Sequence, residues 1–207
     1  MPSQVEICRL ALAHIADAAR VNSIDPPDST IQASHCATFY PIARDEILES
    51  ADWYFAKKRA ELATSLYALE NDEWAFAYEL PSDFLRAIKV VPPGTQRDYP
   101  GQAFLLETSE DGADRILYTN VEEAWLHYVF RQEATGLYTP LFVSALSYLL
   151  GSYVAGPILK GKVGAQLKKS LYEMYELYQA KAVASLENGQ KTTDSYADYK
   201  PQWVTDR

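Results

Sequence analysis

The N-terminal part of the chain carries apolar residues at helical spacing. It opens with Ser3-Gln4-Val5-Glu6, in which a serine and a glutamate have the spacing of a helix capping box. Residues three or four positions apart lie on one face of a helix, and the apolar positions here are Val5, Cys8, Leu12 and Ile15. The pattern predicts a first helix that begins after Ser3 and ends near Ala18.

A second helix is predicted after a connection that contains Pro26-Pro27. The capping pattern Ser29-Thr30-Ile31-Gln32 opens it, and its apolar positions are Cys36, Tyr40, Ala43 and Ile47. We expect this helix to extend from Ser29 to Ala51. Because Pro41 has no amide hydrogen to donate, we expect a kink or a break at that residue.

Between Trp53 and Phe130 the helical spacing gives way to short runs of β-branched and aromatic residues. The runs are Ala75 to Leu80, Phe84 to Val91, Phe104 to Thr108, Ile116 to Thr119 and Trp125 to Phe130. Asp111-Gly112 lies between the third and fourth runs, and this dipeptide tolerates the positive φ angles of a hairpin turn. We therefore predict a small antiparallel β-sheet.

Helical patterns return at Thr139-Pro140, where a capping residue precedes a proline at the first helical position. We expect Gly151 and Gly156-Pro157 to loosen and end this third helix. A last helix is predicted from about Gly164 to Leu186, with Asn188-Gly189 after it. The apolar positions of the two helices are Leu141, Phe142, Ala145, Leu146 and Leu149, then Leu167, Leu171, Met174 and Tyr178.

These elements predict an α+β fold. The N- and C-terminal helices form a helical bundle, and a small antiparallel β-sheet module is inserted between them. The corresponding segments are 1–52 for the N-terminal helices, 53–138 for the β-rich insertion, 139–187 for the C-terminal helices and 188–207 for an extended C-terminal arm.

Composition and charge narrow the function classes. A chain of 207 residues that is 48% hydrophobic can bury a real core. The formal net charge of -9 argues against a protein that grips nucleic acid by its phosphates, because such binding draws on clustered Lys and Arg. We expect double-stranded DNA to pass such a protein without tight binding.

The two cysteines and the hydropathy pattern bear on the compartment. Cys8 and Cys36 lie among apolar neighbours, which favours two inert buried thiols over a disulfide and indicates a reducing compartment. We find no apolar run that approaches the ~20 residues needed to span a bilayer, and no basic segment followed by an apolar stretch at the N-terminus. We expect a soluble, unexported protein that does not bind a membrane.

The segment Gly156 to Val163 is the nearest match to a catalytic signature, a phosphate-binding loop. Val163 stands where that loop needs a hydroxyl, and a helix is predicted where it needs a strand, so we interpret the segment as a basic connection between helices. Glu110, Asp111 and Asp114 lack the later glutamate of a calcium-binding loop and are interpreted as a solvated turn.

The remaining titratable residues also fail to form a recognisable site. His14, His35 and His127 fall on separate elements and show no zinc-ligand spacing. The acidic pairs Asp45-Glu46 and Glu122-Glu123 are interpreted as solvated surface. We therefore predict no catalytic residue, no metal and no cofactor, and a protein that is not an enzyme.

Three groups of residues, in order along the chain, are similar to a known family. They are Tyr40 with Arg44 and Leu48 ahead of Trp53-x-Phe55-Ala56, then Tyr78-x-Leu80-Pro81-x-Asp83-x-Leu85-Arg86, then Leu146-x-x-Leu149-Leu150 with Ala155. With them the chain resembles the tail tubular protein A family of short-tailed bacteriophages, the head-to-tail adaptors. Turn chemistry alone also explains Leu80 to Asp83, so we interpret these marks as structural: Trp53, Phe55, Tyr78, Leu80, Pro81, Asp83 and Arg86.

The resemblance implies a structural virion protein that is made in the host cytoplasm. Copies of it would assemble, in the best-known cases as dodecamers, into a ring that joins the portal protein to the tail nozzle protein and continues the channel for DNA ejection. The polar segment Gln190 to Arg207 holds Tyr196, Tyr199 and Trp203. We predict that these aromatic residues bind a neighbouring protein, the portal, although a frayed terminus is the alternative.

Two other function classes stay open. One is another phage neck component, such as a head-completion or stopper protein of a long-tailed phage, although such proteins are usually smaller and the extra sheet favours the adaptor. The other is a soluble helical enzyme whose site is assembled from Asp, Glu and His in three dimensions. The mass in solution would help to separate them, because an enzyme need not form large rings.

Overall fold

The computed structural model describes residues 2–65, 73–95, 99–109 and 112–189. The described residues form helices α1 (Gln4–His14), α2 (Ile31–Glu49), α3 (Pro140–Leu159) and α4 (Gly161–Gly189), and strands β1 (Lys57–Glu61), β2 (Phe76–Glu79), β3 (Phe84–Val91), β4 (Phe104–Thr108), β5 (Arg115–Thr119) and β6 (Trp125–Phe130). Two short 3₁₀ turns, Tyr54–Ala56 and Thr135–Leu137, flank the strands. The predicted α+β class is confirmed.

The helix α3 is the centre of the helical bundle and packs against α1, α2 and α4. It has no charged residue over 20 positions, and its mean hydropathy of 1.5 would suffice, by length and composition, to cross a membrane. The expectation that no such run exists was therefore wrong. Because 61% of this stretch is buried against the other helices, its apolarity is what a central bundle helix requires.

The helix ends show which capping predictions hold. Ser3 and Glu6 form the predicted capping box at α1. The helix ends at His14 rather than near Ala18, because Ala16 takes a φ of +58° and Asp17 N–H turns back to the carbonyl of Leu12. The second cap lies one residue later than predicted, since Thr30 caps α2.

The two prolines that were expected to break helices lie within them. The helix α2 continues through Pro41, whose side chain is exposed, so water can satisfy the carbonyl that the missing amide leaves free. The helix α3 continues past Gly151 and through Pro157 to Leu159, and Lys160, with a φ of +52°, ends it. Gly151 allows a close helix contact: a Cβ there would lie 3.3 Å from the carbonyl oxygen of Ala11 in α1.

Strands β3, β4 and β6 have the predicted bounds, but the β-rich segment forms two sheets rather than one. The sheets have the orders β1-β6-β3 and β2-β5-β4, with all pairs antiparallel. Isolated bridges, Thr64 with Tyr78 and Val90 with Gln102, join them at both edges. The strands therefore surround one interior in a barrel-like arrangement, which leaves few free edges.

The described residues form two apolar cores. The helical core includes Cys8, Tyr40 and Leu146 together with Trp53, Phe55 and Tyr138, which flank the β-rich segment in sequence. The β core consists of Leu62, Tyr78, Phe84, Val90, Leu117, Val121, Ala124, Leu126 and Tyr128. The chain thus enters and leaves the β module through aromatic residues that belong to the bundle.

The two cysteines are buried and free, as predicted. A hydrogen bond between the thiols of Cys8 and Cys36, together with burial, raises the pKa of Cys8. A thiol in that state is a poor nucleophile.

Candidate functional site

The residues that carry the family resemblance lie in the two cores and at the junction between them. Trp53 is fully buried, and its indole Nε1 donates a hydrogen bond to the carbonyl of Ile47 at 2.7 Å. Its ring packs edge-on against Phe142 of α3, with centroids 5.0 Å apart, and Phe55 packs edge-on against the same ring at 5.1 Å. These contacts fix the end of α2 against the central helix.

Tyr78 and Leu80 belong to the β core. The Tyr78 side chain is 2% exposed, and its hydroxyl donates to the carbonyl of Val121 at 2.8 Å. Leu80 packs against the same core, and the carbonyl of Pro81 accepts a hydrogen bond from Phe84 N–H at 3.0 Å, which closes the turn into β3.

Asp83 is the centre of a polar network at this turn. It accepts hydrogen bonds from Lys58 Nζ at 2.6 Å and from the Tyr128 hydroxyl at 3.0 Å. Partial burial alone would raise the pKa of its carboxyl, but these two donors, with the positive charge of Lys58, lower the pKa overall. Its backbone carbonyl accepts from Arg131 N–H at 2.8 Å.

Arg86 joins the β module to the bundle. Its Nε donates to the carbonyl of Glu49 at 2.9 Å, and its Nη2 lies 2.5 Å from a carboxylate oxygen of Asp52. Because Glu49 is the last residue of α2, this arginine also satisfies one of the carbonyls that a helix end leaves free.

Arg44 makes a second link across the same junction. Its side chain, only 7% exposed, pairs with Asp45 at 2.8 Å and with Glu133 at 3.3 Å. Asp45 also accepts from Arg131 at 2.8 Å. The acidic pair Asp45-Glu46 was interpreted as solvated surface, and this was wrong, because Glu46 in turn accepts a hydrogen bond from the hydroxyl of Tyr153.

The residues predicted to bind a partner, Tyr196, Tyr199 and Trp203, lie outside the described residues. So do Glu110 and Asp111 of the acidic turn. The turn that contains Gly112 does close a β4–β5 hairpin, with Ser109 N–H bonded to the carbonyl of Asp114 at 2.8 Å. The segment Gly156 to Val163 comprises the end of α3, the connecting residue and the start of α4, so a helix and not a strand leads directly into it. This is the connection between helices that was expected.

A serine and a histidine meet in the bundle, a pair that the sequence did not indicate. His14 Nε2 lies 3.0 Å from Ser147 Oγ, and its ring stacks on Tyr148 with centroids 4.0 Å apart. Ser147 is 2% exposed and its hydroxyl donates to the carbonyl of Ser144, so the oxygen is not open to a substrate. Burial lowers the pKa of His14. Among residues 2–65, 73–95, 99–109 and 112–189, no group of three His, Cys, Asp or Glu side chains could hold a metal ion.

An apolar groove of about 640 Å³ opens beside the start of α3. It is lined by Tyr54, Thr139, Pro140, Leu141, Ala182, Ser185 and Leu186. Tyr54 is 58% exposed there. The groove has no charged lining residue, so it suits apolar side chains better than a polar substrate.

The outward face of the sheet β1-β6-β3 carries a basic cavity of about 390 Å³, lined by Lys57, Lys58, Arg59, Ile88, Lys89 and His127. Arg59 on β1 and Lys89 on β3 both pair in register with His127 on β6. We call Arg59, His127, Lys89 and Lys57 the basic row. Sequence reasoning missed it, although Lys57-Lys58-Arg59 was a visible signal.

Neither the comparison with protein-family models nor the search of curated proteins finds a match to this chain.

Proposed function

We propose that this chain is a head-to-tail adaptor of a short-tailed bacteriophage, a structural protein that forms a ring between the portal and the tail nozzle. The observation that carries the proposal is the placement of the residues on which the resemblance rests. Trp53 and Phe55 anchor the bundle, Tyr78 and Leu80 anchor the β module, and Arg86 ties one to the other. These residues build the two parts of the subunit and join them, which supports an architectural role.

The two-part subunit supports a ring by simple geometry. A closed ring uses a heterologous interface, in which each subunit offers two different complementary surfaces. The bundle and the β module have separate cores, so each can present its own surface to a neighbour. Each copy carries a formal charge of -9, so a ring of copies would on average repel the phosphates of DNA in its channel. This repulsion favours passage of DNA over tight binding.

The C-terminal arm, residues 188–207, supplies the contact with the portal in this proposal. Its aromatic residues Tyr196, Tyr199 and Trp203 are of the types that form interface hot spots. The helix α4 extends from Gly161 to Gly189, beyond the predicted end near Leu186, so it includes residues 188 and 189, which were predicted to belong to the arm. At 1.5 Å per residue this 29-residue helix is about 43 Å long, so its C-terminal end lies far from the connection at Lys160.

Electron microscopy of the full-length protein mixed with portal rings from the same phage tests the function. We expect a ring of this protein on one face of the portal. A chain without residues 190–207 is expected to lose portal binding, while the variant Tyr172→Ser, which changes an exposed tyrosine on α4, keeps it.

A ring at another level of the neck would assign the chain to the stopper proteins instead of the adaptors. A monomer that never joins portal rings would refute both assignments. Equal portal binding by the shortened and the complete chain would refute the arm as the contact.

A further inference from the structure

The apolar groove lies beside the end of the last described helix. Helices α3 and α4 pack against each other, and the groove lies between the start of α3 and the last turns of α4. Its lining residues from α4 are Ala182, Ser185 and Leu186, which have the spacing of one helix face. The helix ends at Gly189, three residues beyond Leu186, so residues 190–207 begin about 5 Å from the groove along the helix axis.

The lining of the groove suits an aromatic side chain with one polar group. None of the lining side chains is charged, and their polar atoms are the hydroxyls of Tyr54, Thr139 and Ser185. A tryptophan combines a large apolar ring with a single N–H that can donate to a hydroxyl oxygen. The volume of about 640 Å³ is within the range of about 300–1,000 Å³ in which pockets bury a ligand of drug size, so the groove can admit an aromatic side chain and its neighbours.

Residues 190–207, which lie outside the described residues, contain side chains of this kind. Trp203 is the largest of them, and Tyr196 and Tyr199 precede it. The segment has three basic and three acidic residues and therefore no net charge. The rest of the chain carries the whole formal charge of -9, and it does not repel a neutral segment.

The length of the connection favours a contact within one chain. A glycine at a helix end can take the left-handed conformation that reverses the chain, and Gly189 has this position. Residues 190–195 span at most about 20 Å when extended, which is enough to return to the groove. A short connection of this kind gives an effective concentration on the order of 1 mM. A Kd of about 0.1 mM for the separate segment would then keep the groove filled in about nine of ten copies.

We propose that the apolar groove binds residues 190–207 of the same chain, with Trp203 as the anchor. The inference does not rest on the proposed function, since it needs neither a ring nor a portal. In an adaptor the groove would hold the C-terminal arm in the free subunit, and the portal would compete for the same aromatic residues.

Fluorine NMR of the full-length chain, labelled with fluorotryptophan, tests the contact. The chain has four tryptophans, and the variant Trp203→Phe identifies the signal of Trp203. A labelled peptide of residues 190–207 gives the position of this signal in the separate segment. We expect the signal of Trp203 in the full-length chain to be shifted away from that position, and the shift to be independent of protein concentration.

The test variant is Ser185→Glu, which puts a carboxylate into the groove. The matched control is Ala184→Glu, which adds the same charge one residue earlier, outside the lining. Both positions are exposed, so neither substitution alters the helical core. Because the docked segment would desolvate the new carboxylate, we expect Ser185→Glu to weaken docking about tenfold or more and to lower the filled fraction from about nine in ten to half or less. In Ala184→Glu the signal of Trp203 is expected to stay in place.

A second variant, Tyr54→Ser, acts from outside α4. Tyr54 is 58% exposed and lines the groove next to the bundle, so its loss removes apolar contact area for the segment. We expect it to move the signal of Trp203 in the same direction as Ser185→Glu does.

Three outcomes overturn the proposal. The first is a signal of Trp203 in the unaltered chain at the position of the separate peptide. The second is an equal shift in Ser185→Glu and Ala184→Glu, which would place the segment elsewhere. The third is a shift that disappears on dilution together with a fall in mass by light scattering, which would assign the groove to the segment of a second copy. None of these measurements involves the portal, so each outcome leaves the adaptor proposal to its own test.

Discussion

Removal of one hydroxyl group, in Tyr78→Phe, is expected to destabilise the β core. The Tyr78 hydroxyl donates to the carbonyl of Val121 at 2.8 Å and lies 3.4 Å from the backbone nitrogen of Ala124. Phenylalanine keeps the ring, so the substitution leaves no large cavity and isolates the effect of the hydrogen bonds. Both backbone groups are buried and cannot turn to water instead.

The magnitude follows from the groups that lose their partner. A net hydrogen bond contributes about 1 kcal/mol, and a buried polar group left without a partner costs about 1–3 kcal/mol. We therefore expect Tyr78→Phe to lower the free energy of unfolding by about 2 kcal/mol, which raises the unfolding constant by about 30-fold. For a chain of this size the melting temperature is expected to fall by about 4–8 °C.

The bundle provides the control, Tyr40→Phe. Tyr40 is also 2% exposed, but its hydroxyl has no partner in good hydrogen-bond geometry among the described residues, and its interaction with the hydroxyl of Tyr138 is weak. Burial is the main cause that raises the pKa of the Tyr40 hydroxyl. Removing this hydroxyl loses at most that weak interaction, so we expect the stability to change little or to rise.

Urea unfolding of the three proteins, followed by circular dichroism, measures both effects. Equal losses of stability in the two variants would show that the hydroxyl of Tyr78 is not specially placed. A Tyr78→Phe variant as stable as the unaltered chain would refute the assignment of its hydrogen bonds.

The other predictions concern the junction and the bundle. The pKa of Asp83 is lowered in the folded protein, so its ionised form stabilises the fold. We expect the unaltered chain to be more stable than Asp83→Asn by its full margin above the ordinary pKa of 3.8, and to lose that margin as the pH falls through the lower pKa of the folded state. Acid unfolding of both proteins measures this difference. An advantage that grows as the pH falls would contradict this. Gly151→Val is expected to lower the free energy of unfolding by about 1–3 kcal/mol, because α1 must move away from the new side chain. The control Gly136→Ala, where no atom lies within 4 Å of the added Cβ, is expected to change the stability little, and equal effects in thermal unfolding would argue against close packing at Gly151.

The elements with strong local signals were predictable. The strands β3, β4 and β6 were placed with their observed bounds, because each is a run of β-forming residues bounded by turn residues. The cap of α3 at Thr139 was also placed correctly, since it depends on neighbours in the sequence. Caps and turns are local interactions, so a single sequence carries them.

The strand β1 was not predictable by the same means. Its sequence, Lys57-Lys58-Arg59-Ala60-Glu61, has one apolar residue and no clear alternation. It becomes a strand because it pairs with β6, where Lys58 opposes Tyr128 and lies 3.8 Å from the centre of the Phe130 ring. Such tertiary support overrides local propensity.

The basic row required the register of three strands. Arg59, Lys89 and His127 are separated by tens of residues in sequence and meet only because β1 and β3 flank β6. A shift of one residue in either pairing would turn the cations to the other face. The net charge of -9 gave no indication of the basic row either, because it describes the whole chain and not one face of one sheet.

The spacing Asp83-x-x-Arg86 acquires a physical meaning from a register shift in β3. The pairing of β3 with β6 shifts between Phe84 and Arg86, so consecutive residues do not simply alternate there. Phe84 enters the β core, whereas Leu85 packs against the helical core. Arg86 then reaches the end of α2, while Asp83 holds β1 through Lys58. One short block thus contacts both cores and links the bundle to the β module through the hydrogen bonds of Arg86 and Asp83.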